Sequence, residues 1–186
     1  MPEDLAIAAP PPDRFAQAAI IHNQQRRLTF VAGSRNGIVC WIGPEEEDDP
    51  RPRATADKPV DEDSVPPEGL ELDVILTYGD QESVGKVWLP KDRRLRTSDC
   101  ILEIDVPADE PHVVADVAFL FRGRAFEIVR IDAPVLAPGE QEGSGARLRV
   151  RTQVQRREVI NLSDREPMDG TAVSAGSELV VFGGSG

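Results

Sequence analysis

Residues of the types that do chemistry are few in this chain, and they are scattered. The histidines are His22 and His112, and the cysteines are Cys40 and Cys100. A zinc centre would need all four to converge without any local ligand-spacing motif to start from. His112 would share a strand face with Asp116, yet four residues of strand separate them by about 13 Å, too far for a proton-transfer dyad. The sequence holds no Gly-x-Ser-x-Gly elbow, no P-loop and no His-Glu-x-x-His. Gly183, Gly184 and Gly186 follow a strand-like run, but no helix comes after them to hold a phosphate. Cys100 is a conceivable nucleophile, although the alternation around it points its thiol inward, as an inert core group. Catalytic residues, metals and cofactors are therefore none on this reading, and an enzyme would need a site dispersed over the chain.

The arginines offer a different chemistry. Arg147, Arg149 and Arg151 would line one face of a strand at roughly 7 Å intervals, near the spacing of backbone phosphates. Arg122 and Arg124 flank a candidate turn, and Lys91, Arg93, Arg94 and Arg96 form another basic group. The five arginines at 122, 124, 147, 149 and 151 are the candidate interaction residues. Nucleic acid is the less favoured partner, because aromatic residues for stacking make up only 5% of the chain and its net charge is −12. Glu103 and Asp105 offer the arginine strand cross-strand partners instead.

The elements that must position these residues are strands. Leu70-Glu71-Leu72-Asp73-Val74, Cys100 to Val106 and Arg147 to Arg151 alternate apolar and polar residues with the period of a pleat. Strands are predicted at 70–78, 83–89, 98–106, 112–122, 124–135 and 146–155. The segments at 112–135 are apolar on both faces, which suits a central position or a second contact surface. Turn signals fall at Gly79-Asp80, Pro107 to Pro111, Arg122-Gly123 and Pro138-Gly139. The fold class is mainly β: an antiparallel β-sandwich or barrel with a short N-terminal helix and hairpin. Asp13 would cap a helix through Ile21, and Leu28–Val31 with Ile38–Ile42 would pair around Gly33 to Gly37.

Four units follow: a helix plus hairpin at 1–43, an acidic linker at 44–68, the sandwich at 69–157 and a C-terminal extension with short strands at 158–186. Between Pro44 and Pro67 there are six prolines and nine acidic residues, too little apolar surface to offset ordering, so the linker is expected to be flexible. From Ser83 to Arg157 basic residues outnumber acidic ones 13 to 11, so the chain's acidity lies mostly outside the sandwich. Glu3 and Asp4 stand where a secretory signal carries basic residues, and no apolar run approaches the roughly 20 residues of a membrane span. A cytoplasmic protein with reduced, buried thiols is expected, a single Cys40–Cys100 bridge being the less favoured alternative. The chain ends in Gly183-Gly184-Ser185-Gly186 directly after an apolar run, which reads as a tail or as a cut within a longer polypeptide.

Gly85-Lys86-Val87-Trp88-Leu89-Pro90, the strand at 98–106 and Phe119 to Phe126 around Arg122-Gly123-Arg124 together resemble accessory β-sandwich modules. Such modules accompany caspase-like (CHAT) and other effector domains in bacterial conflict proteins. The similarity covers about Leu70 to Val135 and rests on strand rhythm and the Arg-Gly-Arg hairpin. It implies an interaction or regulatory part and carries over no catalytic residue. The expected function is a non-catalytic protein–protein interaction module, its partner another protein or further domains of the same polypeptide. A nucleic-acid-binding module and an enzyme with a dispersed site are the alternatives.

Overall fold

The computed structural model describes residues 8–143, together with the backbone of 172–175 and 178–181. The expected strand at 146–155, with Arg147, Arg149 and Arg151, lies outside the described residues. In chain order the strands are β1 (Arg14–His22), β2 (Gln25–Arg27), β3 (Phe30–Val31), β4 (Ser34–Pro44) and β5 (Ala54–Thr55). Then come β6 (Leu70–Tyr78), β7 (Gln81–Leu89), β8 (Cys100–Val106), β9 (His112–Phe121) and β10 (Arg124–Leu136). The short strands β11 (Ala172–Ala175) and β12 (Glu178–Val181) pair antiparallel with each other.

Two sheets share one core. The first runs β2-β1-β4-β8, with β5 also on β1, and the second runs β3-β10-β9-β6-β7. All pairings are antiparallel except β3 with β10. The fold is mainly β, and the alternation seen in the sequence has the expected phase. Leu70, Leu72, Val74 and Leu76 are buried with Cys100, Leu102, Ile104 and Val106, and Val113, Ala115, Val117 and Phe119 complete the layer. Burying roughly thirty apolar side chains of this kind is the main drive to fold, since each contributes about 1.5–3 kcal/mol when large.

The N-terminal helix is corrected. Residues 14–22 form β1, pairing with β4 from Arg14↔Pro44 to Ile21↔Gly37. Ala16, Ala18 and Ile20 point into the core, while Ala19 joins Val39 and Trp41 on the other face. Helical spacing and the Asp13 cap fitted this run, but pairing along a long neighbour outweighs the weak preference of alanine for helix. Asp13 instead accepts a hydrogen bond from Arg93, at 2.7 Å.

The expected hairpin at 28–42 is also corrected, because its two halves enter different sheets. β3 joins β10 in the second sheet, and β4 lies between β1 and β8 in the first. Asn36, fully buried, holds this crossing together: its amide oxygen accepts from Val31 N–H (2.9 Å), and its nitrogen donates to the Val31 and Ser34 carbonyls. As β4 pairs with β8 over seven residues, the described parts of 1–43 and 69–157 share one core.

The acidic segment docks on the body rather than hanging free. Ala54, Ala56, Val60 and Val65 are buried in the shared core, and β5 pairs with β1. A short 3-10 turn, Glu62–Ser64, carries the carboxylate that receives Arg14.

Candidate interaction face

The pleat sends every second residue of β6, β7, β9 and β10 away from the core. Register places Ile128 beside Ala118, Ala118 beside Ile75, and Ile75 beside Val84. An apolar row thus crosses four strands on the outward face of the second sheet. Val84 is 60% exposed, and Ile75, Ala118 and Ile128 are half-buried. Leu120, Val114 and Trp88 (50% exposed) extend the apolar area toward either end. A wet sheet face ordinarily carries polar residues at these positions.

Charged residues frame the row. On one side Arg130 forks onto Asp116 with hydrogen bonds of 2.8 and 3.0 Å, a bidentate geometry that fixes both side chains. The Asp116 carboxylate beside it holds the Arg130 guanidinium above its ordinary pKa. On the other side Lys86 donates to Glu71 at 2.7 Å and lies 3.6 Å from Asp73, and these carboxylates raise its pKa. His112 contacts Asp132 one step further along. Glu82 and Glu68 make no ion pair among the described residues, so the frame carries an excess of negative charge. A cleft of about 610 Å³ opens beside Glu68, Glu71, Asp73 and Arg122.

The first sheet's outward face is built differently. Its apolar cluster of Ala19, Val39 and Trp41 is covered by the chain itself. Arg26 and Arg96 stack over the Trp41 ring at 4.7 and 4.9 Å, a cation–π arrangement. Asp49 gathers Arg26 (3.4 Å) and Arg51 (2.9 Å), so the acidic segment folds over this face. Hydrogen bonds from Arg51 hold the Asp49 carboxyl well below the usual carboxylate range, and burial lowers the Arg26 pKa. The Trp41 side of this face is covered by its own chain, while Ile101, opposite Val39 at the β8 edge, is 60% exposed. The four-strand apolar row of the second sheet stays open among the described residues.

Of the five candidate arginines, Arg122 and Arg124 are placed by the structure. Arg122 (φ +50°) and Gly123 (φ +75°) make the two-residue turn between β9 and β10, both in the left-handed region that a type I′ hairpin needs. The Arg122 guanidinium lies 5.1 Å from the Phe121 ring. Glu103 and Asp105, expected to face the arginine strand, pair with Arg35 among the described residues, at 3.8 and 3.0 Å. Lys91 donates to the Val65 carbonyl (2.5 Å), Arg93 pairs with Asp13 and Arg96 stacks on Trp41, so these three side chains of the basic group anchor loops.

The sequence reading missed the apolar row as a single feature. It noted both apolar faces at 112–135, but Ile75 and Val84 join that surface only through the register of β6 with β9 and β7. It also missed the cross-strand position of Cys40 opposite Cys100. Among the described residues no group of three metal-ligating side chains converges, and no helix is long and apolar enough to cross a membrane. Comparison with protein-family models, curated proteins and solved structures gives no match.

Proposed function

We propose that this chain is a non-catalytic β-sandwich interaction module whose docking surface is the outward face of the second sheet. The observation that carries the reading is the apolar row Ile128–Ala118–Ile75–Val84, which crosses four strands and is uncovered among the described residues. The first sheet's outer apolar cluster, by contrast, is covered at Trp41 and exposes Ile101 at its edge. A partner protein presenting an apolar strip beside basic residues fits it, since the frame holds more carboxylates than cations. The likeness to accessory modules of bacterial conflict proteins agrees with a regulatory role beside an effector, in the same polypeptide or another. Nucleic acid fits less well: Arg26, Arg35, Arg51, Arg93 and Arg130 are all engaged by carboxylates, and the chain is strongly acidic.

Capture from a lysate of the source organism tests the reading, with wild type compared with Ile75→Glu and Val84→Glu. Both side chains lie on the outward face, Val84 exposed and Ile75 half-buried, so circular dichroism should be unchanged and the unfolding midpoint should fall only modestly. Wild type is expected to retain a protein that rebinds when purified, and each variant should lose it. Equal retention by the variants, or retention of nucleic acid alone, would overturn the proposal.

A further inference from the structure

The β4–β8 ladder ends on Cys40↔Cys100, two free thiols directly opposite each other. Opposed residues of an antiparallel pair have Cα atoms about 4.5–5.5 Å apart, inside the range of about 4.4–6.8 Å that a disulfide spans. Both side chains face the core, and the Cys40 thiol donates to the Cys100 carbonyl at 3.3 Å. We propose that Cys40 and Cys100 form an oxidisable dithiol site that a small hydroperoxide converts to a cross-strand disulfide.

Three features make Cys100 the attacking group. It lies where β8, an edge strand of the first sheet among the described residues, meets β7, an edge strand of the second. Among the described residues no backbone ladder closes this seam. Its bridge is the Gln81 amide, which donates to the Asp105 carbonyl (2.8 Å) and accepts from Asp105 N–H (2.9 Å). Cys100, itself buried, keeps 8% of its surface exposed at this seam, whereas Cys40 keeps none. The Cys40 thiol, which can turn its one proton from the Cys100 carbonyl to the Cys100 sulfur, and the Lys86 backbone N–H lower the Cys100 pKa against the opposing effect of burial, which favours the reactive thiolate. The same hydrogen bond, with burial, pushes Cys40 up, so it keeps its proton until the second step.

The chemistry balances. The Cys100 thiolate attacks one peroxide oxygen, the O–O bond breaks, and the leaving hydroxide takes up the proton Cys100 had released, giving water and a sulfenic acid. Cys40 sulfur then attacks the Cys100 sulfur. The S–S bond forms, the S–O bond breaks, and the departing hydroxide takes the Cys40 proton as a second water. Both thiols are oxidised by one electron each and the peroxide is reduced by two.

The test treats the reduced, folded chain with near-stoichiometric hydrogen peroxide, followed by alkylation and peptide mass mapping. The expected result is loss of both free thiols and of two hydrogens, with one linked peptide pair containing Cys40 and Cys100, reversed by dithiothreitol. Cys40→Ser should stop at a sulfenic acid on Cys100 that dimedone traps, and Cys100→Ser should leave Cys40 unreacted on the same timescale. Amide exchange at Lys86 should quicken on oxidation, because its sulfur acceptor turns toward β4. Thiols that survive the oxidant, a Cys100 sulfenic acid that persists in wild type, or links only between molecules would each overturn the site.

Discussion

Arg14 has no exposed surface, yet its guanidinium is fully engaged. It forks onto Glu62 (2.9 and 2.7 Å) and donates to the carbonyls of Pro90, Asp92 and Leu95. Removing one member of such a buried pair leaves the other charge unmatched, which costs about 3–5 kcal/mol. Arg14→Met should lower urea stability by that amount, and an unchanged midpoint would show that Glu62 finds another partner. Gly85 gives a second case. A Cβ there would meet Cys100 Sγ well inside van der Waals contact. Gly85→Ala is expected to lose about 1–3 kcal/mol by overpacking, and Gly85→Ala with Cys100→Ala to recover most of it. Neither residue announces its role in the sequence. Arginine is rarely buried unless paired, and the partner of Arg14 lies 48 residues away.

The segment from Pro44 to Gly69 behaves as an element, although its composition is that of a linker. Composition measures average burial, and here four small side chains, Ala54, Ala56, Val60 and Val65, together with Glu62 fasten a mostly polar stretch. Limited proteolysis should therefore spare residues 54–65 in wild type, and Glu62→Gln should expose them to cleavage. Cleavage there in wild type would show that the segment is not fastened. The Asp49 clasp adds a pH dependence. Its folded pKa is depressed by the Arg51 hydrogen bonds, so its contribution is complete above the ordinary carboxylate pKa and is lost as pH falls below about 4. The stability difference between wild type and Asp49→Asn, measured in urea, should hold from pH 7 to 5 and shrink as pH drops further. The strands themselves were the most legible elements: β6 runs from Leu70 to Tyr78 as the alternation predicts. β1 was not, because five alanine and isoleucine residues fit both periods and only its neighbour β4 decides between them.

At the scale of the whole molecule, two sheets share a core, and their outer faces differ in what covers them. The mainly β class was readable because alternation is local. The union of the described parts of 1–43 and 69–157 was not, since it depends on β4 pairing with β8 across sixty or more residues. The candidate face was half readable for the same reason: Val114, Ala118 and Leu120 alternate visibly along β9, while Ile75 and Val84 reach them through register alone. The central claim is that this outward face is the docking surface. Hydroxyl-radical footprinting of the full chain, alone and bound to its purified protein partner, tests it most directly by reading the solvent exposure of individual side chains. Protection should fall on Trp88, Leu120 and Ile75, with Phe30 and Phe119 unreactive in both states. Unchanged labelling on that face, with protection appearing instead around the Arg122–Gly123 turn or over Trp41, would contradict the claim.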